Sequence, residues 1–142
     1  MVYADYWIAL QEGHLTYGTF EDYKSIINRH IKPSMKGLRM RDVLPDDITR
    51  MMKEVANFSK SVHDKTYMLA KQMFTNAYDN KLISENPCPK MHAGGRDPVE
   101  RQALTNEQMT TLIEAVKGTR AYVFCMIGLY SGLRREEILG LK

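Results

Sequence analysis

An arginine near the end of the sequence, Arg134, is of a type and in a setting that suit phosphate chemistry. It lies in the stretch SGLRREEILGL, which follows a strongly apolar run, and Ser131 and Gly132 are typical of a helix C-cap. An arginine at the junction between two helices presents a planar, permanently charged fork of donors that can bind two oxygens of one phosphate. The alternative is a surface arginine paired with Glu136 or Glu137. The local pattern leaves both interpretations open.

The elements that would position such side chains are predicted to be helices. Apolar residues at spacings of three and four are the signature of amphipathic helices, and no strand pattern accompanies them. The predicted helices are a short one at 5–12, a second that Thr19 caps and that stops before Pro33, a third from Pro45 to Asn57, and a long fourth from Ser61 to about Asn80. Four such helices predict an all-α bundle.

The sequence changes character after this bundle. Residues 84–102 contain three prolines and a Gly-Gly pair without periodicity, which predicts an interdomain linker. Thr105 and Gln108 then form a predicted capping box, and residues 121–130 are apolar all round, which predicts a helix buried on every side, Tyr122 and Tyr130 included. About forty residues cannot surround such a helix. We therefore expect a helical domain at 1–86, a linker at 87–102 and, at 103–142, the opening of a larger domain whose remainder is missing.

Composition excludes several classes of protein. The 142 residues are 44% hydrophobic and 26% charged, which is typical of a folded soluble protein, and the net charge of +3 leaves a nucleic-acid partner open. Cys88 and Cys125 lack metal-ligand spacing, so we expect two reduced thiols and no metal site. The N-terminus does not resemble a signal peptide and no apolar run is long enough to cross a bilayer, so we expect a cytoplasmic protein.

The stretch SGLRREEILGL resembles the first conserved box of the tyrosine recombinases, the phage integrase family: a small residue, Gly, Leu, Arg, two variable positions, Glu, an aliphatic residue and Leu. The order of other features is also similar to that family, namely HIKP at 30–33, Gly37, LPDDI, ISENP and RQALTNEQM before the apolar helix. The resemblance covers residues 19–142. It implies an all-α chain with a SAM-like four-helix core-binding bundle, a linker and the first helices of a truncated integrase catalytic domain.

The resemblance also implies a function, which is that of a DNA-binding fragment of a site-specific recombinase from a phage or mobile element, acting in DNA integration and recombination. In such enzymes a tyrosine attacks a DNA phosphodiester and forms a covalent phosphotyrosyl link, without metal or ATP. Arg134 matches the first catalytic arginine, and Glu137 matches an acidic position that we assign to orienting it. The nucleophilic tyrosine and the later catalytic residues of the pattern do not occur in these 142 residues. We therefore expect this chain alone not to cleave DNA, and the intact parent to act with other protomers.

In the family the second and fourth helices of the core-binding domain approach the major groove. By resemblance, the predicted contacts with double-stranded DNA are Lys24, Asn28, Arg29, Lys32, Lys60, Ser61, His63, Lys65, Thr66 and Lys71. The basic linker residues Lys90, His92, Arg96 and Arg101 could follow the DNA backbone. The acids Glu21, Asp22 and Asp64 favour the alternative that these are ordinary solvated helix faces. An alternative function is a SAM-like helical protein-interaction module without DNA activity.

Overall fold

The computed structural model describes residues 2–89, 94–100 and 102–141. In these residues the secondary structure is helical, with one isolated β-bridge between Ser59 and Arg96 and no strand. The prediction of an all-α chain is confirmed. Contacts divide the chain into two compact units, Met1–Val99 and Glu100–Lys142, which are described separately. The linker residues Lys90, His92 and Arg101 lie outside the described residues.

The first unit is built on five helices. They are α1 (Val2–Leu10), α2 (Tyr17–Ile26), the short α3 (Lys32–Ser34), α4 (Pro45–Glu54) and α5 (Lys60–Asp79). A π-helical turn, Ile27–Ile31, joins α2 to α3, and a 3₁₀ turn, Met40–Asp42, precedes α4.

The second helix differs from its prediction at both ends. Thr16, not Thr19, is the N-cap, and its carbonyl accepts the Phe20 N–H at 2.9 Å. The helix also continues past Pro33 instead of stopping before it, because the turn widens there: the Lys32 N–H donates to the Ile27 carbonyl, five residues back. A proline ring clashes with the carbonyl four residues before it and has no N–H to donate, and a π turn at this point accommodates both defects.

The core of the first unit lies between α2 with its π turn, α4 and α5. The largest fully buried side chains include Phe74 and Met73 of α5, Ile27 and Ile31 of the π turn, and Ile48 and Met51 of α4. Trp7 and Ile8 close the core from α1. Each such side chain contributes about 1.5–3 kcal/mol through burial.

The second unit contains α6 (Asn106–Val116), α7 (Ala121–Ser131) and α8 (Arg135–Leu139). The predicted capping box is present, since the Gln108 N–H donates to Thr105 Oγ1 at 3.2 Å and the Thr105 N–H donates to Gln108 Oε1 at 3.0 Å. The prediction that residues 121–130 are buried on every side is wrong for this chain. No residue of α7 is buried and Tyr130 is 75% exposed, because within this unit only α6 and α8 are there to cover it.

Candidate nucleic-acid interface

Two contacts bring the predicted DNA-contacting helices side by side. The rings of His30, in the π turn, and Phe58, just before α5, meet edge to face with centroids 5.0 Å apart. Nearer the start of α2, Asp22 pairs with Lys65 of α5. Because residue 30 lies beside residue 58 and residue 22 beside residue 65, the two segments run antiparallel.

Six of the ten predicted contact residues are exposed, two are half-buried and two are buried. The exposed ones are Lys24, Asn28, Arg29, Lys60, Ser61 and Lys71; the half-buried ones are Lys32 and Lys65; the buried ones are His63 and Thr66. A set of cationic and polar side chains therefore lies at the surface of α2, the π turn, α3 and α5. We name it the α2–α5 face, meaning the six exposed residues with Lys32 and Lys65.

His63 and Thr66 do not belong to this face. Thr66 is 0% exposed and its hydroxyl donates to the Val62 carbonyl at 2.7 Å, while His63 is 4% exposed and its Nδ1 lies 3.0 Å from Asp64 Oδ1. Neither side chain reaches solvent. The sequence carried a signal for this placement, because positions 63, 66, 70, 73 and 77 continue one spacing of three and four on the buried side of α5.

Most of the lysines on the face are paired with acids. The pairs are Lys24 with Glu21 (3.7 Å), Lys60 with Asp64 (3.5 Å), Lys65 with Asp22 (2.5 Å), and Lys32 with Asp5. Within the described residues, Arg29 and Lys71 make no ion pair. Exposed pairs contribute only about 0–1 kcal/mol each, so a phosphate can displace the acid at little cost.

The shifted pKa values of Asp64 and His30 determine the charge of these two side chains beside the face. The His63 ring N–H donates to the Asp64 carboxylate and holds its pKa below the usual value, so Asp64 stays ionised beside Lys60. Burial lowers the pKa of His30, and its neighbour Arg29 lowers it further. His30 is therefore neutral at physiological pH. Arg29 supplies the positive charge of the π turn.

In the second unit, the chain around Arg134 is arranged by backbone geometry. Gly132 caps α7 in the left-handed conformation (φ 65°), and Arg134 is the N-cap residue of α8. The Arg134 backbone N–H donates to Glu137 Oε2 at 2.8 Å, so Glu137 ties the arginine to the first turn of α8. Glu136 pairs with Arg135 and not with Arg134: Arg135 Nη2 lies 2.5 Å from Glu136 Oε1. The Arg134 side chain is left exposed.

Other kinds of site find little support in the described part of the chain. No group of three or more His, Cys, Asp or Glu side chains there could hold a metal ion. No helix found in that part is both long and apolar enough to span a membrane.

Comparison with known proteins gives two matches. Residues 2–56, which contain α1 to α4, match the family model described as the phage integrase N-terminal SAM-like domain. Over 135 residues the chain is 27% identical to a protein of Caldanaerobacter subterraneus subsp. tengcongensis named tyrosine recombinase XerC-like, and the alignment covers 87% of this chain and 34% of that protein. The chain thus spans about a third of the length of that curated relative. No solved structure gives a significant match.

The N-terminal part of the chain is therefore a SAM-like domain of the kind found in phage integrases. Together with the recombinase relative, this match supports the tyrosine recombinase, or phage integrase, family for the chain, as the sequence resemblance predicted.

Proposed function

We propose that the chain binds double-stranded DNA through the α2–α5 face, as the DNA-binding part of a site-specific tyrosine recombinase that serves DNA integration and recombination. The observation that carries the proposal is the position of this face. Its residues at 24–32 lie within residues 2–56, which match the integrase N-terminal family, and its α5 residues pack beside that segment through the pair of Lys65 with Asp22. Its side chains are cationic or polar, and they are exposed or half-buried. Lysine and arginine side chains suit phosphate oxygens and carry little base information, so contact with the DNA backbone dominates.

Arg29 is the central contact in this proposal. It is exposed, it makes no ion pair within the described residues, and it lies in the π turn beside the start of α5. Its charge is therefore available to a phosphate without displacement of an acid. Ser61 lies in the first turn of α5, where the helix dipole also favours an anion.

For the intact recombinase we propose that Arg134 neutralises charge on the phosphate that reacts. Its guanidinium would bind non-bridging oxygens as negative charge grows in the transition state, which is preorganised electrostatic stabilisation. Glu137 would act as a positioning residue, because it holds the Arg134 backbone rather than any proton of the substrate. No tyrosine of these 142 residues matches the family's nucleophile context, so we propose DNA binding and not cleavage for them. Other recombinase protomers would be partners of the intact protein in the cytoplasm.

Fluorescence anisotropy on a labelled random duplex of about 30 base pairs, between about 50 and 200 mM salt, tests the binding proposal. We expect affinity to fall with salt, and Arg29→Gln to reduce the magnitude of the logarithmic salt slope by about one. Arg41→Gln is the matched control: Arg41 is exposed and lines an open groove with Tyr78 and Ser84 beyond the other end of α5. Equal losses in both variants, or no binding at the lowest salt, would refute DNA binding by this face.

A second candidate is a protein-interaction module, and one observation favours it. Val2, Tyr6 and Leu10 recur every four residues along α1 and are 85%, 56% and 44% exposed, which forms an apolar stripe. If association through this stripe is the function, sedimentation should detect a complex that Tyr6→Ser weakens and that salt does not. A monomer at all concentrations with salt-sensitive DNA binding would exclude this candidate.

A further inference from the structure

The segment that follows α5 does not leave the first unit at once. It turns back along α5 and makes contacts at two places. The first anchor, residues 86–89, lies beside the middle of α5: Asn86 Nδ2 donates to Thr75 Oγ1 at 3.1 Å, the Cys88 N–H donates to Asn86 Oδ1 at 3.0 Å, and the Tyr67 hydroxyl donates to the Pro89 carbonyl. Pro87 is buried and Cys88 is half-buried against the core.

The second place of contact is the first turn of α5. Residues 94–96, which we name the latch, bridge to the residues that begin the helix: the Lys60 N–H donates to the Arg96 carbonyl at 2.9 Å, and the Arg96 N–H donates to the Phe58 carbonyl at 2.7 Å. The first N–H groups of a helix have no partner within the helix. The latch supplies one of those missing partners, and Ser59 supplies another to Val62.

Two glycines make this contact possible. A Cβ on Gly94 would lie 2.5 Å from Nε2 of the buried His63, and a Cβ on Gly95 would lie 2.7 Å from the Lys60 Cα. Gly95 also has φ +81°, a conformation that other residues rarely adopt. His63 therefore has a role that differs from its predicted one, because its ring is the surface on which the latch rests.

We propose that the latch is a releasable contact that sets how far the second unit can reach from the first. Asn86 lies at Thr75, Pro89 at Tyr67, Gly94 at His63 and Arg96 at Lys60, so the chain leaves the first unit at the N-terminal end of α5, beside the α2–α5 face. When the latch is closed, residues 97–104 separate Arg96 from the helix cap Thr105 and span at most about 30 Å. When it is open, the last point of contact is Pro89, and the fifteen residues between Pro89 and Thr105 span at most about 55 Å. The proposal does not depend on DNA binding.

Hydrogen exchange of the full chain tests whether the latch is closed. We expect Gly94→Ala to accelerate exchange of the Lys60 and Arg96 amides at least tenfold, with the Met73 and Phe74 amides unchanged. Gly18→Ala is the matched control, since a Cβ there meets nothing within 4 Å. Arg96→Pro is a second variant that removes the Arg96 N–H, whose partner is the Phe58 carbonyl, without touching the core. Its readout is faster exchange of the Lys60 amide alone, and it decides the matter if Gly94→Ala does not fold.

Spin labels at Gln72→Cys and Glu114→Cys, with both native cysteines replaced by alanine, test the reach by pulsed electron paramagnetic resonance. We expect the longest distances in the distribution to increase by up to about 15 Å in the latch variants and not in Gly18→Ala, because the tether gains about 25 Å while its point of attachment moves about 10 Å along α5 towards Gln72. Unchanged exchange in both latch variants would overturn the latch. Faster amide exchange with an unchanged distance distribution would overturn the proposal that the latch limits the distance between the two units.

Discussion

The ion pair between Asp22 and Lys65 leads to a prediction about DNA affinity. Asp22 Oδ2 lies 2.5 Å from Lys65 Nζ, and the two side chains are 44% and 43% exposed. The carboxylate occupies the position that a phosphate oxygen would take on the lysine. Asp22 therefore competes with DNA, and Asp22→Asn should raise the affinity.

The size of the effect follows from the exposure of the pair. A pair this exposed contributes at most about 1 kcal/mol, so its removal should tighten binding by up to about fivefold. A lysine that gains a phosphate contact should also steepen the logarithmic salt slope by up to about 0.9. The same substitution should lower the free energy of unfolding by no more than about 1 kcal/mol, because it removes the same pair.

The assay is anisotropy at matched salt with two further variants. Asp42→Asn changes the net charge by the same amount, but Asp42, at the end of the 3₁₀ turn, pairs with Arg39 and Arg41 and not with a lysine of the α2–α5 face. Asp22→Asn combined with Lys65→Gln removes the lysine that is meant to benefit. Equal gains in affinity from Asp22→Asn and Asp42→Asn, or a gain that persists in the double variant, would refute competition between Asp22 and DNA for Lys65.

Two further predictions concern stability and reactivity. The Leu44 N–H donates a hydrogen bond to the Asp47 carboxylate, and this bond is the largest cause of the lowered pKa of Asp47. Because the pKa is lower in the folded state than its ordinary value of 3.8, ionised Asp47 stabilises the fold fully above about pH 4. This stabilisation is lost as the pH falls through the folded-state pKa. Urea unfolding should find Asp47→Asn less stable by about 1 kcal/mol at pH 6, with the difference shrinking towards pH 2; a difference that does not change with pH would contradict this. Burial raises the pKa of the Cys88 thiol to about 12, with Lys71 opposing. Mass spectrometry should therefore find Cys88 alkylated about a thousandfold more slowly at pH 8 in the folded chain than in urea, and equal rates would mean that the first anchor is open in solution.

The helices could be predicted from the sequence because their signals are local. The spacing of apolar residues located α5, and the capping box of Thr105 and Gln108 located α6, to within a residue or two. The cap of α5 is Ser59, two residues before the predicted start at Ser61. The path of the chain through Pro33 could not be predicted in this way. A proline normally ends a helix. Here the burial of Ile27 and Ile31 in the core offsets the poorer hydrogen bonds of the π turn, and this burial depends on the tertiary structure.

The candidate site was only partly predictable. The exposed residues of the α2–α5 face follow from helix periodicity, and the same periodicity applied to His63 and Thr66 would have placed them in the core. The pairing of Lys65 with Asp22 joins residues 43 positions apart and depends on how two helices pack. The docking of Gly94 on His63 depends on tertiary structure in the same way, since Pro and Gly composition alone is equally typical of a free linker.

The most direct test of DNA binding by the α2–α5 face is a nuclear magnetic resonance titration of the isotopically labelled chain with a short random duplex. We expect amide shifts to change most at 24–32 and 60–65 and at Lys71, and the changes to vanish at high salt. Shift changes confined to α1, or none at low salt, would contradict DNA binding by this face.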